Sequence, residues 1–239
     1  MKKIVTFLAA IVIALAANAQ SLDIFNHLGI GASVGTTGIS VNLATPVTSW
    51  LTLRAGADFM PGINIKTDVE ANYTDPTTGY QQYADIDLDC GIGRTQGNVI
   101  INFYPIPKAA FYVSAGLYFG GNKFVKIKGH SAELEGMTDG TIEVGDYNLP
   151  VDKNGNVHGG LKVKSVRPYL GLGWGRAIPR RLLAFNIDLG VQFQGKPEVY
   201  SETGDLHEIA GEVDNDFTKI IDNFKVYPVL SFRLSGKIF

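Results

Sequence analysis

The sequence predicts an all-β fold: a transmembrane up-and-down antiparallel β-barrel of eight strands, with one short amphipathic helix before the last strand. Three observations carry that expectation. Eight stretches alternate apolar and polar residues at period two, the connections between them alternate short and long, and the chain opens on a secretory leader yet offers no later apolar run long enough for a spanning helix. Residues 1–19 read as a signal peptide and 20–239 as one barrel domain.

The leader is "MKKIVTFLAAIVIALAANAQ": Lys2 and Lys3, an apolar run from Ile4 to Ala17, and Ala17-Asn18-Ala19 before Gln20. Position 20 is not a cysteine, so the pattern is not that of a lipoprotein anchor. A membrane crossing would have to be made by strands.

In order, the strands are "HLGIGASVG" (27–35), "ISVNL" (39–43), "LTLRAGADF" (51–59), "NVIINFY" (98–104), "AFYVSAGLYF" (110–119), "KSVRPYLGLGWG" (164–175), "FNIDLGVQFQ" (185–194) and "VYPVLSFRLSGKIF" (226–239). In the seventh, Phe185, Ile187, Leu189, Val191 and Phe193 leave one face, while Asn186, Asp188, Gln192 and Gln194 leave the other. "ATPVTSW", "PIPKA" and "AIPRR" read as tight turns, and segments near 61–96, 124–160 and 196–224 as long polar loops. Loops of that length count against a compact soluble domain such as a lipocalin-like barrel, but they are the rule on the outer side of a membrane barrel, whose periplasmic turns are short. Within the last loop, "DNDFTKIIDNF" spaces Phe217, Ile220, Ile221 and Phe224 as one helix face, with Asp214 as cap.

Opposite the apolar faces lie Arg54, Asp58, Asn102, Arg167, Asp188, Gln192 and Arg233, which predict a polar network inside a narrow lumen where Arg and Asp can pair. Glycines on the same faces, among them Gly171, Gly173 and Gly190, suit a barrel of small radius nearly filled by side chains, not an open pore. Aromatics at strand ends, including Trp50, Tyr104, Trp174 and Tyr227, predict two interfacial girdles.

Removing the leader leaves 19 basic against 23 acidic residues and no basic stripe, which gives no basis for a nucleic-acid partner. Cys90 is the single cysteine and reads as a loop thiol. The four histidines are scattered without ligand spacing, no G-x-S-x-G elbow occurs, and no cofactor motif is present. His207 with Ser201 and an acid would be common residues on one loop, not a recognisable triad. Asp85, Asp87 and Asp89 in "DIDLD" share one face if extended and are weak calcium candidates, against the plainer reading of a solvated acidic edge. In "VDKNGNVHGG" Asp152, Asn154 and Asn156 are spaced as in a calcium loop, but the glycine is misplaced and the twelfth position is Val163. Asn154-Gly155 is better read as a hairpin tip, which predicts strands continuing above the membrane.

The leader, "GIGASVGTTGISVNL", "RPYLGLGWG", "DLGVQFQGKPEV" and "DNFKVYPVLSFRLSGKIF" together resemble the small outer-membrane β-barrels of Gram-negative bacteria, the group with OmpA-like and OmpX-like eight-stranded members, over the whole mature chain. The resemblance implies an outer-membrane location, contact with outer-membrane lipids, and insertion by the barrel-assembly machinery, with the terminal Phe239 as part of the signal it reads. Counting back from Phe239, Lys237, Ser235 and Arg233 are polar and Ile238, Leu234 and Phe232 apolar, so the reading requires a bulge or twist near the end. The leading expectation is a monomeric barrel without catalysis, whose long loops act in surface interaction or envelope integrity toward an unidentified extracellular ligand. A lipid-modifying enzyme and a porin-like narrow channel or binder of small apolar ligands are the alternatives, because fold alone does not choose among them.

Overall fold

A computed structural model describes residues 27–74, 80–106, 109–136, 141–144, 147–202, 207–208 and 224–238. In chain order the strands are β1 (Gly29–Gly35), β2 (Gly38–Pro46), β3 (Leu51–Thr74), β4 (Gln81–Phe103), β5 (Phe111–Phe119), β6 (Lys123–Glu135), β7 (Thr141–Val144), β8 (Tyr147–Pro150), β9 (Asn154–Lys162), β10 (Val166–Trp174), β11 (Leu183–Phe193), β12 (Glu198–Ser201), β13 (His207–Glu208) and β14 (Val226–Lys237). Eight of them, β1 to β5 with β10, β11 and β14, close an antiparallel barrel. The seam is β14 against β1, from Gly29↔Lys237 to Gly35↔Ser231.

The wall is apolar outside and polar inside. Leu170, Leu172, Phe185, Leu189, Phe232 and Leu234 lie exposed on the outer surface, whereas Arg54, Asp58, Arg167, Asp188, Gln192 and Arg233 are buried. That is the inverse of a water-soluble core and the arrangement of a barrel whose outer solvent is hydrocarbon.

The long segments hold more order than the sequence reading gave them. Segments 61–96, 124–160 and 196–224 were expected as loops, but β3 and β4 form one continuous hairpin from Leu51↔Phe103 to Thr74↔Gln81, and β6, β9 and β12 add to β4 in turn. At about 3.3 Å per residue, the 24 residues of β3 reach far past an apolar band about 25 Å tall. The result is a sheet standing beyond one rim, opposite the rim where the described chain begins at His27 and ends at Ile238 and where the tight turns lie. The Asn154-Gly155 turn forms, with Gly155 at φ 71° and its N–H donating to Asp152 O at 3.0 Å. It does not close a hairpin with the segment before it, because β9 pairs with β6.

The register of β14 runs without a break from Val226 to Lys237, so no bulge precedes the end among the described residues, and Phe239 lies outside them. The helix expected over 214–224 also lies outside them except for Phe224, which sits in the turn entering β14, and the described residues contain no helix.

Candidate functional site

The chemically dense part of the barrel is its interior, which every strand supplies by sending alternate side chains inward. Near the turn-bearing end, Asp188 on β11 is the hub. Arg54 Nη1 donates to Asp188 Oδ1 and Oδ2 at 3.3 and 3.2 Å, and Arg233 Nη1 stands 3.2 Å from Oδ2. Tyr112 OH donates to Asp188 Oδ1 at 2.7 Å and accepts from Arg233 Nη2 at 3.0 Å.

A second cluster lies above it. Asp58 accepts from Gln96 Nε2 at 2.9 Å and Asn98 Nδ2 at 3.0 Å, and Gln96 Oε1 accepts from Arg167 Nη2 at 2.8 Å. Arg167 also donates to the carbonyls of Lys164 and Gly120, each at 2.7 Å. At the mouth, Arg94 lies over the rings of Tyr227 and Phe124, 4.6 and 5.2 Å from their centroids, and reaches Gln192 Oε1 at 3.5 Å.

Glycine makes room for the tyrosines. A Cβ on Gly173 would sit 2.2 Å from Tyr112 Cζ, and one on Gly190 2.6 Å from Tyr169 Cε2. The bare backbone at these lumen-facing positions therefore lets the rings lie against the wall. What remains between the clusters is a cavity of about 20 Å³, room for a single water.

The buried charges among the described residues are four arginines, Arg54, Arg94, Arg167 and Arg233, against two aspartates, Asp58 and Asp188. Arg94, Gln96, Tyr112, Tyr118 and Tyr169 were absent from the sequence-predicted network. Arg94 and Gln96 fell in a segment read as loop, although they continue the even-numbered alternation of Asn98 and Asn102. The tyrosines alternate with the outward-facing Phe111, Val113, Phe119 and Leu170 of their own strands, so the same period-two signal would have placed them inside.

Trp50 and Trp174 project from the outer surface at the turn-bearing rim, Trp50 packing edge-on against Phe103 with centroids 5.5 Å apart. Tyr227, expected in a girdle, instead faces the mouth under Arg94, its OH donating to Thr36 O at 2.6 Å. Tyr104 likewise turns inward and accepts from Ala177 N at 3.3 Å. Both OH groups find protein partners there, which a lipid-facing position would not supply.

Asp85, Asp87 and Asp89 do share one face, the solvent side of the extended part of β4. Asp89 lies between Lys66 and Lys128 in register, and Asp87 beside His130. On the β3 side Asp87 stands opposite Asp68, so cations flank the row on both sides only at Asp89, and among the described residues no group of three His, Cys, Asp or Glu is placed to hold a metal ion. Cys90 is not in a loop but half-buried on the opposite face of the same strand, where burial and then the nearby Asp89 push its thiol up, away from the reactive thiolate.

No protein-family model matches the sequence, and no curated protein matches it. Among solved structures, the chain is similar to CarO2 of Acinetobacter baumannii at 18% identity and TM-score 0.51, covering 88% of this chain and 98% of that one. CarO of the same organism aligns at 17% identity and TM-score 0.49, covering 87% and 96%. At 18% identity the likeness to CarO2 is one of fold: the chain is a closed eight-stranded antiparallel barrel with a filled polar interior.

Proposed function

We propose that this chain is a monomeric, non-enzymatic outer-membrane protein, exported by the leader at 1–19 and inserted by the barrel-assembly machinery, with Phe239 in the signal that machinery reads. Its barrel is an anchor, and its activity lies in the sheet built beyond the rim by β3, β4, β6, β9 and β12, in surface interaction or envelope integrity.

The observation that supports this most is the destination of the charged side chains. Inside the barrel Asp188 holds Arg54 and Arg233, amide side chains hold Asp58, Arg167 and Arg94, and the space between the two clusters is of water size, which argues against a conduit. On the extension, Lys66, Asp87, Lys126, Lys128 and His130 are exposed to solvent on one sheet face. Loops and projections on a rigid scaffold are where recognition is usually placed.

The reading is tested on whole cells and in bilayers. A Cys90→Ser, Lys128→Cys variant is expected to react with a membrane-impermeant maleimide on intact cells, and the purified protein is expected to migrate differently on gels with and without boiling while giving no stepwise conductance in planar bilayers. Labelling only after cell breakage, or discrete channel openings, would overturn it.

A binder of small apolar ligands is the second reading. It is favoured by Ile63 and Ile65, which lie exposed on the side of the extension that continues the lumen face. Mass spectrometry of the detergent-extracted protein would reveal a co-purifying apolar molecule.

A further inference from the structure

The turn from β10 to β11, residues 175–182, carries three arginines in "GRAIPRRL". The other two tight connections, 44–50 and 104–110, contain Lys108 and no acid, so this rim has cations and no carboxylate in any of its turns. The turn is held against its neighbours: Gly175 N donates to Ala110 O at 2.9 Å, and Lys237 N to Leu182 O at 3.2 Å. Arg176 is fixed within it, donating to Ala109 O at 2.9 Å with its guanidinium 5.3 Å from the Tyr104 ring centroid.

Arg176 and Arg180 form the partition between two spaces. One, of about 420 Å³, opens into the barrel end beside Tyr104 and Lys237. The other, of about 360 Å³, is a groove on the outer wall bordered by Arg181, Trp174, Leu183 and Phe185. The outer groove thus has guanidinium groups at its rim end and exposed apolar side chains along its length, with Leu182 76% exposed beside them.

We propose that this outer groove binds the phosphodiester headgroup of an anionic glycerophospholipid, with Arg180 and Arg181 on the phosphate and the acyl chains along Trp174, Leu183 and Phe185. The proposal rests on the outer-membrane reading, in which this rim faces the periplasm. A guanidinium presents paired N–H donors that match phosphate oxygens, and a tryptophan ring favours headgroup depth. Burial and the neighbouring Arg180 cation both weaken the hold of Arg176 on its proton. An anion in the groove would relieve that like-charge strain.

The chain has two tryptophans, which makes the test direct. Trp50→Phe leaves Trp174 as the sole fluorophore at the groove, and Trp174→Phe leaves Trp50 at a different turn as the insertion control. The full chain is folded into phosphatidylcholine vesicles containing a minor fraction of brominated phosphatidylglycerol or brominated phosphatidylcholine. Brominated phosphatidylglycerol is expected to quench Trp174 at several-fold lower mole fraction than brominated phosphatidylcholine, and Trp50 equally in both. Arg180→Gln and Arg181→Gln, both exposed and checked for folding by gel mobility, should each weaken the preference about fivefold.

Equal quenching of Trp174 by the two lipids, or a preference that survives both substitutions, would overturn the site. Loss of the preference to millimolar inorganic phosphate would assign the arginines to a free anion and overturn the lipid. An unquenched Trp50 in every vesicle would mean that the chain is not in the bilayer, and would remove the outer-membrane reading together with this one.

Discussion

Strand β4 crosses two environments without interruption, and its even-numbered side chains change character between them. From Asn102 through Asn98 and Gln96 to Arg94 they are mostly polar and face the lumen, while the odd-numbered Phe103 and Ile101 face outward. Beyond Arg94 the same side of the strand carries Ile92, Cys90, Leu88 and Ile86, and the outward side carries Asp89, Asp87 and Asp85. Strand β3 arrives at the same result by another device. Met60 pairs with Arg94 and Ile63 with Ile92, so β3 spends one residue more than β4, and the extra residue moves its odd-numbered apolar positions from the outer to the inner face. Gly62 and Gly93 meet at this point, where a Cβ on Gly93 would lie 2.9 Å from Gly62 Cα. One strand inverts its composition and its partner inverts its phase. Both follow from the change of outer solvent from hydrocarbon to water, which places the boundary near residues 92 to 95.

The comparison predicts that equivalent changes have unequal effects on the two sides of that boundary. The largest effect belongs to the lumen hub. Asp188→Ala leaves Arg54 and Arg233 without their shared carboxylate and Tyr112 without its acceptor, and breaking a buried ion pair from one side costs about 3–5 kcal/mol. The urea midpoint of the folded protein in lipid should fall accordingly. Glu202→Ala removes the exposed partner of Lys123 on the extension and should leave that midpoint unmoved. Equal shifts would mean that the lumen pairs are as solvated as those outside.

Next comes the wall itself. Leu172 is 50% exposed in mid-strand on the outer surface of β10, and Leu172→Arg should cost about 2–4 kcal/mol if that surface meets hydrocarbon. Asp87→Arg, on the outward face of the extension, should change stability by no more than about 0.5 kcal/mol. A tolerated Leu172→Arg would move the boundary or abolish it.

The same inversion explains how much was legible in the sequence. All eight barrel strands are readable because lipid demands an unbroken apolar face, as in Phe185, Ile187 and Leu189, whatever lies behind it. Arg54, Asp58, Arg167, Asp188, Gln192 and Arg233 follow by elimination as the opposite face. The extended parts of β3 and β4 read as loop because their length and polar content match an outer loop, although Ile86, Leu88, Cys90 and Ile92 alternate between and beyond the aspartates of "DIDLD" just as strictly. Pairing of β6 with β4 and β9 is non-local and leaves no trace in a single window, so Lys128 beside Asp89 was not foreseeable. Tyr227 was misassigned because a ring at a strand end fits a girdle and a capped mouth equally well; only Arg94, from another strand, decides between them.

The smallest expected effect tests whether the extension can loosen while the barrel stays closed. At the turn into β9, Asp152 Oδ1 accepts from the backbone N–H of Asn154 and of Asn156, each at 2.8 Å, and Oδ2 from Asn156 Nδ2 at 3.1 Å. These donors, the Asn156 amide first, hold the carboxyl below the ordinary aspartate value. Because its folded value is depressed, the contribution of this carboxylate to the turn is fully present above the unfolded value and is lost as pH falls through the folded one. In detergent-solubilised protein, the amide resonances of Asn154 and Asn156 should titrate together with a midpoint below that of a free aspartate, and Asp152→Asn should abolish the titration. Signals from Gly171 and Gly190 in the barrel wall should stay fixed through the same range, since no group at the turn touches them. A joint movement would show that the extension and the barrel are one cooperative unit, and the boundary in β4 would then separate solvents without separating stabilities.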